Sequence, residues 1–156
     1  MMMCQDDDAQ RNIVGAAENN EQWWNNISRE VGKLKPTSEI MAAVAATAAE
    51  DKQASDVVAL DVKKLTIIAD YFIIAGAETS LQVRAIAQAI EEALADKGIK
   101  YLRREGWDDA RWVLLDYADI VVHIFLKSER EFYALERLWG DADKLSTHDI
   151  NELAST

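Results

Sequence analysis

The stretch DVVALDVKKLTIIADYFIIA, residues 56–75, decides the fold. Residues 56–62 and 71–75 are short runs rich in β-branched and aromatic side chains, the composition of buried strands. Only residues 63–70 separate them. A parallel pair needs a crossover of about a dozen residues or more, so these two strands are expected to be antiparallel. Downstream, residues 79–98 carry the clearest helix. Thr79 and Gln82 have capping-box spacing, Val83, Ile86, Ile90 and Leu94 form one stripe, and Gly98 is a stop signal. Residues 99–104 alternate and read as a half-exposed strand. Residues 112–116 and 119–125 read as a hairpin turning at Tyr117-Ala118, where an alanine in a position favouring glycine predicts a strained turn. Ser128 and Glu131 suggest a second capping box, opening a helix that ends at Gly140 with Phe132, Leu135 and either Leu138 or Trp139 facing inward.

Upstream of the decisive stretch, Ser38 caps an alanine-rich helix to about residue 52, with a narrow stripe of Ile40, Val44 and Thr47/Ala48. The predicted architecture is therefore a single α/β domain, residues 38–141, with a mixed five-stranded sheet flanked by helices. Residues 142–156 are expected to be a polar, frayed tail. Residues 1–37 are expected to be a mobile N-terminal extension with one short helix that places Trp23 or Trp24, Ile27, Val31 and Leu34 on one side and ends near Gly32 and Pro36.

At 156 residues and 49% hydrophobic content the chain can fill one core. Its net charge of −11 argues against broad contact with nucleic-acid phosphates, because such contact depends on Lys and Arg. The single cysteine, Cys4, allows no internal disulfide, and two histidines leave little for a metal centre. There is no apolar run of spanning length, and Asp6–Asp8 stand where a secretory signal would be basic and then apolar. The expectation is a cytoplasmic protein without membrane contact, metal or cofactor.

Three groups are candidates for chemistry. Asp108, Asp109, Asp116 and Asp119 lie around the hairpin, where carboxylates at strand ends can hold Mg²⁺ for nucleotidyl transfer. Yet no Asp-x-Asp is present, and the residue 76–80 loop carries Glu78 where a phosphate would sit. Turn-stabilising hydrogen bonds are the simpler role for Asp116 and Asp119. His123, in mid-strand, is expected to be a hydrogen-bonded, half-buried imidazole rather than a general base. The aromatics are more telling. Trp112, Leu114 and Asp116 share one strand face, and the carboxylate marks it as the face nearer water. Tyr133 shares its helix side with Arg130, Glu136 and Arg137 and should be partly exposed. Exposed Trp and Tyr ringed by charge have the make-up of a protein-binding surface.

These same residues carry a resemblance. Residues 69–74 (ADYFII), Gly76, Thr79-Ser80, residues 82–87 (QVRAIA), 105–107 (EGW), 111–117 (RWVLLDY), 119–125 (DIVVHIF) and 130–139 (REFYALERLW) are similar to the RsfS, or Iojap, family of ribosomal silencing factors, over about residues 38–141. Ala118 departs from the glycine common at that turn and Ala77-Glu78 from the small residues common in the loop before the helix, and neither lies in the contact region. The resemblance implies a nucleotidyltransferase-like architecture without catalytic residues. It also implies a non-enzymatic role: binding the large ribosomal subunit through the L-fourteen ribosomal protein and sterically blocking the small subunit, which represses translation or guards immature subunits. The contact residues it implies are Trp112, Leu114, Arg130, Tyr133 and Glu136, with no direct nucleic-acid readout. A homodimer of the free protein and a metal-dependent nucleotidyltransferase-like enzyme are the alternatives.

Overall fold

The computed structural model describes residues 36–156. The expected N-terminal extension with Trp23 and Trp24 lies almost wholly outside the described residues. The elements run α1 (Ser38–Asp51), β1 (Ser55–Asp61), β2 (Tyr71–Ala77), α2 (Ser80–Ala95), β3 (Arg103–Glu105), β4 (Trp112–Asp116), β5 (Ile120–Leu126), α3 (Lys127–Tyr133), α4 (Leu135–Leu138), β6 (Asp143–Leu145) and α5 (Thr147–Ser155). One sheet, ordered β3-β4-β5-β2-β1-β6, contains all the strands.

The β1–β2 and β4–β5 pairs are antiparallel, as loop length and turn position required. The central β2–β5 pair is parallel, with Tyr71 opposite Ile120 and Ala77 opposite Leu126. Both central strands are buried on both faces, which explains their unbroken apolar sequence. On one face Ile73, Ala75, Val113, Leu115, Val122 and Ile124 pack under α1, α2 and α5. The other face carries Leu60, Phe72, Ile74, Val121 and Phe125, with Trp112, Leu114, Leu135 and Trp139 half-buried around them.

Helix α2 keeps its expected cap and stop, but the reciprocal half of the Thr79–Gln82 capping box shifts one residue upstream of the cap. Thr79 Oγ1 accepts from the Gln82 N–H, Gln82 Oε1 accepts from the Glu78 N–H, and Gly98 takes φ +78° after the last turn. Ala118 adopts φ +69°, so the hairpin turn is strained as expected, and Asp116 Oδ1 accepts its N–H.

Several expectations are corrected. The sheet has six strands rather than five, and residues 142–156 are not a frayed tail. Asp143–Leu145 pairs with Ala59–Asp61 as an antiparallel edge, and Ser146 and Asp149 form a capping box that starts α5. A three-residue strand with two charged members shows no readable alternation. Its inward Leu145 and the fully buried Ile150 nevertheless fix the segment to the α1 side of the core. Replacing Ile150 with Ala should cost about 2 kcal/mol, read as a lower urea midpoint at unchanged m-value.

Helix α1 is capped by Thr37, not Ser38, and its buried positions are Met41, Ala42, Ala43, Ala45, Ala46, Ala48 and Ala49 rather than a narrow stripe. It is wedged among the sheet, α2 and α5, and small side chains permit that approach on several sides. The third strand is confined to Arg103–Glu105. Finally, the last helix is two pieces. It starts directly off β5 without a side-chain cap, so Ser128 and Glu131 form no capping box, and it breaks at Ala134, which has φ 44°. The break turns Phe132 (79% exposed) and Leu138 (73%) outward, while Leu135 and Trp139 pack inward.

Candidate functional site

The break at Ala134 places α3 beside the upper end of β4 and β5. Trp112 begins β4 opposite Phe125, and the two rings stack at 4.8 Å. Tyr133, at the end of α3, lies 4.7 Å from Trp112 and 6.3 Å from Phe125, and is 45% exposed. Phe132 meets Tyr133 edge-on at 5.1 Å and stands further out. A graded column results, from Phe125 in the core through half-buried Trp112 to exposed Tyr133 and Phe132. Leu114, two residues on from Trp112, is half-buried on the same face. Helical spacing alone points Phe132 inward. Only a helix break reveals it as surface, and Ala134 gives no glycine signal for one.

His123 fixes the inner end of the column. It is buried, opposite Leu114, and its Nδ1 accepts the Trp112 Nε1–H at 3.1 Å. It also lies edge-on to Phe72 at 5.5 Å. The hydrogen bond matches expectation, and the burial is deeper than expected. Desolvation lowers the His123 pKa to about 4. An ordinary histidine in the unfolded chain titrates near 6.5, so acid favours unfolding. The stabilisation is complete above about pH 6.5 and is lost as pH falls towards 4. A shift of that size corresponds to about 3 kcal/mol. His123→Gln, which keeps an acceptor for the indole, should flatten the stability profile between pH 6.5 and 4 relative to the parent.

Arg130 and Glu136 border the column. Arg130 Nε donates to Glu136 Oε1 at 2.8 Å, while its terminal nitrogens donate to the Ser55 and Asp56 carbonyls at 3.0 and 2.6 Å. The guanidinium crosses Gly76, where a Cβ would meet Ser55 Oγ at 2.6 Å and Arg130 at 3.3 Å. The pair thus ties α3 and α4 to the start of β1 and holds Tyr133 over Trp112.

The carboxylates take local roles. Asp116 faces Arg103 at 3.4 Å as well as capping its own turn. Around Asp108 and Asp109 the loop is held from outside, with Arg84 donating to the Trp107 and Asp108 carbonyls. Among the described residues no three His, Cys, Asp or Glu side chains converge as metal ligands. The Glu78 N–H of the residue 76–80 loop is already used by Gln82. Among the described residues no helix is long and apolar enough to cross a membrane.

The model of a family described as "Ribosomal silencing factor during starvation", RsfS, matches residues 35–156. The chain belongs to the RsfS family. It is 48% identical to the ribosomal silencing factor RsfS of Bacillus subtilis over 99 residues, which is 64% of this chain and 84% of that one. It is 30% identical to the chloroplastic protein Iojap of Arabidopsis thaliana over 146 residues, 83% of this chain and 61% of that one. A crystal structure from Bacillus halodurans superposes with a TM-score of 0.59 at 41% identity, covering 66% of this chain and 93% of that one. The RsfS match extends to residue 156 and so includes β6 and α5, the segment expected to be a tail. RsfS relatives carry a regulatory name, not the name of an enzyme.

Proposed function

We propose that this RsfS-family chain binds the large ribosomal subunit through the L-fourteen ribosomal protein and keeps the small subunit from joining, repressing translation or guarding immature subunits in the cytoplasm. The observation that carries this reading is the aromatic column. Tyr133 and Phe132 leave rings in solvent over a rigid stack on Trp112 and Phe125, as an anchor for a partner does. Leu114 extends the apolar floor, and the locked Arg130–Glu136 pair gives the rim a fixed polarity.

Charge supports a protein partner over bare RNA. A chain of net charge −11 is attracted to a basic ribosomal protein and repelled by ribosomal RNA at large. Blocking then requires only bulk at the joining face, with no catalysis and no cofactor. The test is to add the protein to purified large subunits before small subunits are mixed in, and to resolve particles on gradients. The expected result is loss of joined particles in proportion to bound protein. Normal joining in the presence of saturating protein would overturn the reading.

A further inference from the structure

A cleft of about 740 Å³ opens beside the aromatic column, between the start of β1, the end of β2 and the α3–α4 pair. Arg130 separates the two, so the cleft and the proposed docking surface share a wall. Four basic side chains line it: Lys127, Arg130, Arg137 and Lys144. Arg130 is fully engaged within the fold. Lys127, Arg137 and Lys144 have no ion pair among the described residues. In so acidic a chain, three uncommitted cations around one cleft call for a ligand.

The charges are sorted along the cleft. Glu78 and Glu131 accompany Lys127 at one end, where the three also line a second shallow hollow beyond Leu126. Glu136 is neutralised by Arg130, and Asp56 lies near the same guanidinium, which its own carbonyl accepts. Towards β6 the lining is Arg137, Gly140 and Lys144. Lys144 is opposite Leu60, a member of the core on this face, so its ammonium rises on the same side as the column. The end next to β6 is therefore positive. Its walls hold no aromatic ring that could seat a nucleobase, and small residues (Gly76, Ala134, Gly140) leave it open to a continuous chain. An open cationic seat without a base platform fits backbone phosphate, not a free nucleotide.

We propose that Arg137 and Lys144 grip ribosomal RNA backbone phosphates beside the protein partner when the column docks. This rests on the large-subunit reading above and adds a second, electrostatic foothold to it. The acidic end would repel a phosphate, so the contact is confined to the end next to β6. No base is read, and the contact positions without specifying sequence.

The experiment compares the parent with R137Q/K144Q on two targets: purified large subunits across a potassium chloride series, and the isolated L-fourteen protein, which carries no RNA. Releasing counterions from two fewer phosphates should make the slope of log K against log salt on subunits shallower by about 1 to 2, with binding roughly 25-fold weaker near 0.1 M salt. Binding to the isolated protein should be unchanged, and R137K/K144R should restore the parent slope. Equal weakening on both targets, or an unchanged slope on subunits, would overturn the phosphate contact and leave the docking reading standing. A parent that binds neither target would overturn both.

Discussion

Replacing Trp112 and Tyr133 together with Ala is expected to weaken binding to large subunits by about a thousandfold. Aromatic anchors in the centre of an interface are worth about 2 kcal/mol each, and every 1.4 kcal/mol is a factor of ten. The two rings touch, so their contributions are coupled, and the single variants show how. Tyr133→Ala removes an exposed ring and should lose about 30-fold in binding with little change in thermal midpoint. Trp112→Ala also removes the stack on Phe125 and the donor to His123, so part of its effect appears as lost stability. Circular dichroism of the double variant separates a missing anchor from a missing fold. Subunit pelleting at the parent level by a folded double variant would refute the assignment.

Gly106→Ala should be the most damaging single methyl group in the domain. Gly106 has φ +79°, and a Cβ there would lie 2.0 Å from the Trp112 carbonyl oxygen. The obstacle is backbone at the first residue of β4, so no side chain can swing aside. Strain in the left-handed region and a forced shift of the strand together cost about 3 kcal/mol, or roughly 10 °C in thermal midpoint. The control is Gly98→Ala. It has a nearly identical φ of +78° but nothing within 4 Å, so it should lose only about 1 kcal/mol. The pair isolates the clash from the backbone preference. Because the displaced atom belongs to Trp112, G106A should also weaken docking beyond what its stability loss explains.

Sequence patterns exposed the parts of this fold that local physics fixes. The short 63–70 loop dictated antiparallel pairing, the Thr79 cap and Gly98 stop bounded a helix, and the alternation through Trp112, Leu114 and Asp116 placed them on the wetter face. Three features escaped for different reasons. The β6 edge has too few residues for any period to show, and it exists only because β1 offers a free edge. The break at Ala134 is set by tertiary contacts, since Arg130 is drawn towards β1 while Leu135 and Trp139 pack on the sheet. Local spacing therefore describes an unbroken helix with Phe132 inward, which the tertiary contacts overrule. The burial of Met41 and six alanines of α1 depends on packing against the sheet, α2 and α5, all of which follow later in the chain. In the candidate site, residue types were legible, but the Trp112–His123 bond and the Arg130 tether needed coordinates.

The edge pairing of β6 with β1 has a consequence for how the chain comes into being. Strand β1 is made roughly 80 residues before its outer neighbour, and the parallel partner of β2 also follows it at a distance of about 50 residues. A nascent chain ending before residue 120 holds an unaccompanied hairpin with both edges bare, the kind of intermediate that invites wrong pairing. The domain therefore completes its sheet only once residues 120–145 are available, as one cooperative event governed by distant contacts.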